Sequence, residues 1–135
     1  MKYVVVGTGV AGLAAIEAIR SIDAAGEIAW IGDDAHGYYS RPGLAYLLTG
    51  EVHDRQLYPQ VGDELKKWRV NRTHARVARL FPAQRSIELQ QGDTLSYDRL
   101  LLALGAQAAP LDVPGAQLQG VFEDIAKRVF TRLSK

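Results

Sequence analysis

The sequence contains no cysteine in 135 residues, which excludes a disulfide framework, thiol nucleophiles, redox dithiols, thiolate-ligated zinc and cysteine-held iron–sulfur clusters. Charge of either sign is not in surplus. Sixteen Lys and Arg face fifteen Asp and Glu, a formal net charge of +1, so no overall field draws the chain to a nucleic-acid backbone or an anionic membrane. Nothing approaches the roughly 20 consecutive apolar residues of a membrane-spanning helix. The opening MKYVVVGTG has one lysine and a very short apolar run, without the apolar core or cleavage region of a secretory signal. A cytoplasmic location is therefore expected, with no nucleic-acid and no membrane partner. The three histidines, His36, His53 and His74, lie far apart without ligand spacing, so no metal site is expected.

What is present is a globular composition, 47% apolar and 23% charged, with length enough for one core. Residues 3–6 form a β-branched and aromatic run that reads as a buried strand. Residues 13–22 carry a helical period with Ile16, Ile19 and Ile22, and residues 28–31 are a second strand after Gly26. A short helix is predicted over 41–48, with Pro42 in its first turn and Gly50 closing it, and another within 58–68. Residues 75–81 and 86–90 read as a hairpin, 99–104 as a strand, and 122–133 as an amphipathic helix with Ile125, Val129 and Leu133 four apart. Lys66, Lys67, Arg69, Arg72, Arg76 and Arg79 form a basic run with no acid between them, a solvated face or a docking surface for an acidic partner.

The run GTGVAG sets Gly7, Gly9 and Gly12 between the first strand and its helix. In such a turn the first glycine makes the bend, the second lets the backbone approach a pyrophosphate, and the third lets helix and strand close up. Amides at the helix start, those of Val10 and Ala11 among them, then face the phosphate. Asp33 and Asp34 lie 21 and 22 positions beyond Gly12, near the spacing of about 20 for an acid that takes an adenosine ribose. Asp33 is the nearer of the two to the strand end. This spacing fits a nicotinamide dinucleotide and a flavin dinucleotide equally.

Beyond this point the sequence resembles the amino-terminal FAD-binding portion of the pyridine nucleotide-dependent flavoprotein reductases, in the ferredoxin, rubredoxin and nitrite reductase branch. VVVGTGVAG, IGDDAHGYYSRPGLAYLLTG, RVARLFPAQRSIEL and LSYDRLLLALGAQAAPLDVPG carry the resemblance over residues 1–122. It implies an α/β fold: a partial Rossmann-like FAD-binding domain over residues 1–121, a parallel sheet with an inserted β-hairpin, and a helix or tail over 122–135. It also implies that Arg41 and Pro42 pass near the flavin. Tyr46 stands where relatives often carry lysine, Val77 matches a residue whose backbone holds adenine, and Ala103 and Gly105 belong to a turn in which Leu104 replaces threonine. Tyr38 and Tyr39 read as packing residues.

The reaction implied is hydride transfer from NADH or NADPH to FAD, with electrons passed onward to an acceptor. No second GxGxxG follows residue 12, so the nicotinamide domain and the returning part of the FAD domain are not in this sequence. The chain is thus expected to be incomplete alone: a fragment, a subunit completed by another chain or a homodimer, or a reduced nucleotide-binding protein. An acidic electron-transfer protein is a further expected partner, and no catalytic residue is assigned. Two alternatives stay open, an NAD-binding protein without FAD and a non-catalytic remnant acting through a protein partner.

Overall fold

A computed structural model describes residues 1–36, 38–58, 61–122 and Asp124. In chain order its elements are β1 (Lys2–Val6), α1 (Val10–Ile22), β2 (Glu27–Gly32), α2 (Gly43–Thr49), a 3-10 turn (Asp54–Leu57), α3 (Val61–Lys67), β3 (Val70–His74), β4 (Val77–Phe81), β5 (Ser86–Leu89), β6 (Thr94–Ser96) and β7 (Arg99–Leu102). The helix expected over 122–133 lies outside the described residues, apart from Phe122 and Asp124. Among the described residues no helix is long and apolar enough to cross a membrane. The chain divides into two units, Met1–Tyr38 with Gln60–Gly105, and Tyr39–Pro59 with Ala106–Lys135.

The first unit is built on a four-stranded sheet in the order β3-β2-β1-β7, every pair parallel. Strands of a parallel sheet are buried on both faces, which is why β1 and β2 read as short apolar runs without alternation. On one face Val5, Ile28 and Trp30 meet Ile16 of α1, with Leu65 and Trp68 packed beside them. On the other, Val4, Val6 and Ile31 meet Ala75, Ile87 and Leu89. Ile87 and Leu89 belong to an antiparallel meander, β4-β5-β6, that covers this second face. Each fully buried Ile or Val in these clusters contributes about 1.5–3 kcal/mol through burial.

The expected hairpin is therefore part of a three-stranded meander. β6 is only three residues long, two of them polar, too short to carry a periodic signal. β3 has no counterpart among the expected strands either. VNRTH is an edge strand whose Asn71, Arg72 and His74 are exposed, so only pairing with β2, Ile28 to Val70 through Gly32 to His74, makes it part of the sheet. α1 begins three residues before its apolar spacing does, because Val10 and Ala11 in its first turn face outward. It ends at Ile22, and Asp23 caps it. The Asp23 N–H donates to Ile19 O, and its carboxylate accepts the amides of Ala25 at 3.0 Å and Gly26 at 2.7 Å.

Four members of the basic run have local partners. Lys66 pairs with Asp63 at 3.5 Å, Arg79 with Glu88 at 3.1 Å and Arg76 with Asp33 at 3.9 Å, while Arg69 donates to the Ala24 carbonyl. Three of the six cations thus have an acidic neighbour that the linear sequence does not place beside them.

The second unit has a small core of Tyr39, Leu44 and Leu57, flanked by Leu47, Leu48 and Tyr58. Pro42 precedes α2 as its N-cap, and Gly50 closes it in the left-handed conformation at φ +82°, with its N–H donating to Leu47 O at 3.2 Å. Residues 106–122 follow an irregular course of turns, as Pro110, Pro114 and Gly115 require.

Candidate dinucleotide site

Because the four strands run parallel, the chain leaves β1, β2 and β7 at the same edge of the sheet, where open α/β sheets bind ligands. That edge gathers Gly7 after β1, Asp33 after β2 and Ala103 after β7. Gly7 adopts φ +114°, a conformation that disfavours side chains. A Cβ there would lie 2.0 Å from Ala103 O, and one on Gly12 would lie 2.2 Å from Gly7 O. The first and third glycines thus have the roles their positions imply, a bend with no room beside it and a helix pressed against the turn.

The turn is held from three sides. Its Gly7 N–H donates to Ile31 O at 2.7 Å, the Ala103 N–H donates to Val6 O at 2.7 Å, and the Trp30 indole Nε1–H donates to Gly7 O at 2.8 Å. Thr8 is buried, and its methyl group lies so close to Gly32 that a Cβ there would come within 2.6 Å. Neither Trp30 nor Thr8 stands out in the sequence as a site residue. The one signal for them is a tryptophan inside an otherwise aliphatic strand and a small β-branched residue between two glycines.

The helix end above this turn is open. Gly9 is the N-cap of α1, no side chain caps it, and no acid occupies the first turn. Val10 is 71% exposed and Ala11 is exposed as well. A helix start of this kind presents amide donors and the positive end of the helix dipole. A helix start with no side-chain cap and no acid in its first turn suits an anionic group such as a phosphate.

Asp33 and Asp34 stand just past β2. Asp33 is exposed, its carboxylate 3.9 Å from Arg76 Nε. Asp34 is half-buried, and its Oδ1 accepts the His36 N–H at 3.0 Å, which folds the following loop. Val77 begins β4, pairs with Leu89 and packs its side chain against the Val4 cluster. Gly105 takes φ +70°, a conformation that favours glycine, and a Cβ on it would meet nothing within 4 Å, while the backbone of Ala103 is the part of this turn that crowds Gly7. Leu104, at the threonine position, is 68% exposed.

Arg41, Pro42 and Tyr46 belong to the other unit. The Arg41 guanidinium carbon lies 4.9 Å over the Tyr39 ring, and Tyr46 is exposed on α2. Tyr39 is buried and Tyr38 packs with the Trp30 cluster, both as packing residues.

Over residues 1–133 the sequence matches the pyridine nucleotide-disulphide oxidoreductase family, and the chain belongs to it. It is 32% identical over 118 residues to the ferredoxin reductase component of chlorobenzene dioxygenase from Cupriavidus sp. (strain PS12), covering 87% of this chain and 29% of that protein. It is 35% identical over 115 residues to the NADH-dependent phenylglyoxylate dehydrogenase subunit epsilon from Aromatoleum evansii, covering 84% of this chain and 27% of that protein. Among solved structures, a ferredoxin reductase from Rhodopseudomonas palustris superposes with a TM-score of 0.80 at 27% identity, covering 99% of this chain and 35% of that one. The covalent putidaredoxin reductase–putidaredoxin complex gives 0.80 at 25% identity, covering 96% and 34%. The chain thus spans about a third or less of the proteins it matches. The fold is the α/β, Rossmann-like one the resemblance implied, and the flavoprotein reductases of the family use FAD with NADH or NADPH. The family's name refers to disulphide chemistry, for which this cysteine-free chain has no residue.

Proposed function

We propose that the chain is the FAD-holding portion of an NAD(P)H-dependent flavoprotein oxidoreductase. The observation that carries this reading is the uncapped start of α1 above a turn with no room for a Cβ at Gly7 or Gly12, with an exposed carboxylate at the end of the neighbouring parallel strand. In this reading the amides around Gly9, Val10, Ala11 and Gly12 take the pyrophosphate, and Asp33 takes the hydroxyls of the adenosine ribose. Asp33 is preferred to Asp34 because Asp34 already accepts the His36 amide. The backbone at Val77 is assigned to the adenine and Ala103 and Gly105 to the border of the turn, while the assignment of Arg41, Pro42 and Tyr46 to the flavin rests on the family resemblance alone. Bound flavin supplies hydride acceptance and electron release.

Hydride delivery needs a nicotinamide site, and onward transfer needs an acceptor. The reading assigns the first to further polypeptide and the second to a ferredoxin-type or other acidic electron-transfer protein in the cytoplasm. A feature of the first unit supports completion by further polypeptide. β7 is an edge strand, and between it and α1 lies an apolar groove of about 320 Å³ lined by Tyr3, Ala15, Ile19, Ile22 and Leu101. Parallel sheets are covered on both faces, and among the described residues this stretch of β7 is not. In this reading the domain runs over residues 1–121 and the tail over 122–135.

Native mass spectrometry of the purified protein, titrated with FAD and NADH separately, tests the reading. A one-to-one FAD adduct is expected. Binding of NADH alone would favour an NAD-binding protein without flavin, and binding of neither would favour a remnant that acts through a protein partner.

A further inference from the structure

No basic residue adjoins Asp33 and Asp34 in the sequence, and the fold changes that. The N–H of Ala75 donates to Gly32 O at 3.0 Å, so the link from β3 to β4 crosses directly past the end of β2. This brings two nitrogen-bearing side chains to Asp33 from more than forty residues away. His74 Nε2 lies 3.1 Å from the Asp33 carbonyl oxygen, and Arg76 Nε lies 3.9 Å from Asp33 Oδ2. The Arg76 main chain is fixed by its carbonyl, which accepts the Gln90 N–H at 2.8 Å. Its side chain is 71% exposed, so the guanidinium has an anchored base and an open face.

We infer that Arg76 is a binding residue for the adenosine half of the dinucleotide, an inference that rests on the flavin reading above. Arg76 stands between Asp33, where the ribose is assigned, and Val77, where the adenine is assigned. A guanidinium there does two things. Its plane stacks on a purine face, which the compact ammonium of lysine does not do. Its charge offsets the two carboxylates past β2, which would otherwise oppose a ligand carrying two phosphate charges. The pair with Asp33 is long and solvent-exposed, so it leaves the carboxylate able to accept ribose hydroxyls.

The test is the affinity of the full chain for FAD and for ADP, read by flavin fluorescence and calorimetry, in wild type, Arg76→Ala and Arg76→Lys. Arg76→Ala is expected to weaken FAD and ADP in parallel, by about tenfold, with the ligand-free thermal midpoint unchanged. Arg76→Lys is expected to recover the part of the loss that added salt abolishes, and no more. Undiminished binding of both ligands by Arg76→Ala overturns the inference, as does full recovery by lysine. Should the alanine variant fail to fold, the lysine variant decides alone: affinity equal to wild type overturns the inference, and a partial loss sustains it. Wild type that binds ADP but not FAD removes the flavin reading while the Arg76 result on ADP still stands. Wild type that binds neither overturns both.

Discussion

The indole nitrogen of Trp30 donates to the carbonyl of Gly7 across 2.8 Å, joining the middle of β2 to the bend that follows β1. Trp30 is completely buried, so the bond is made where water cannot replace it. Trp30→Phe keeps most of the bulk and leaves the Gly7 carbonyl one partner short. A loss of about 1–3 kcal/mol in chemical denaturation is expected, together with weaker FAD binding, because the bend loses a restraint on its carbonyl.

Two glycines with positive φ should respond differently to alanine. At Gly7 the new Cβ meets Ala103 O at 2.0 Å, a backbone atom that cannot move without parting β1 from β7. At Gly50, φ +82°, nothing lies within 4 Å. Gly50→Ala should cost about 1–2 kcal/mol, the conformational term alone. Gly7→Ala should cost more than about 3 kcal/mol. Urea unfolding curves of the two variants side by side provide the check, and equal losses would mean that the crowding at Gly7 carries no energy.

The paired acids should separate by phenotype. Asp33→Ala removes an exposed carboxylate with one long ion pair, so stability should stay within about 0.5 kcal/mol of wild type. FAD affinity should fall roughly 10- to 100-fold, the worth of hydrogen bonds to a charged acceptor. Asp34→Ala takes away the acceptor of the His36 amide and should lower the thermal midpoint with a smaller effect on affinity. The reverse pattern would make Asp34 the ribose acid.

Stability should depend on pH through Asp23 and Tyr3. The amides of Gly26 and then Ala25, with the Tyr3 hydroxyl as third donor, hold the Asp23 carboxyl below its ordinary range. A native pKa lowered in this way gives stabilisation that is complete above the unfolded value of about 3.9 and lost as pH falls through the native one. Tyr3 moves the other way. Burial first, and its bond to Asp23 second, raise the phenol above its ordinary value, so that contribution holds below about pH 10 and fades above it. Asp23→Asn should therefore melt earlier than wild type at pH 7, with the gap closing toward pH 3. Melting curves across that range supply the measurement.

The glycine turn is legible in the sequence because its chemistry is local. A strand of valines, three glycines at set intervals and an alanine-rich helix are all read from neighbouring residues, and Gly7 and Gly12 occupy the crowded positions that spacing assigns them. The partners of Asp33 are not legible, since Arg76 reaches it only through the β3–β4 link, and β3 itself is too polar to announce a strand. That Ala103 O is the atom crowding Gly7 is not legible either, because a glycine marks where the backbone is permissive and not which atom comes near. Helix α1 lies where its periodicity places it and starts earlier, since its exposed first turn has no apolar residue on the core side.

The central position of β1 has a consequence for the order of assembly. Val6 has Ile31 on one side and Leu102 on the other, and the Lys2 amide donates to a carboxylate 96 residues further along, that of Asp98. At roughly 5–20 residues per second of synthesis, β1 waits roughly 3–14 seconds for its second neighbour, β7, after the first, β2, is within reach. Through that interval the growing polypeptide carries an unpaired edge at the strand the sheet is built around, which makes this the stage at which a chaperone has most to protect.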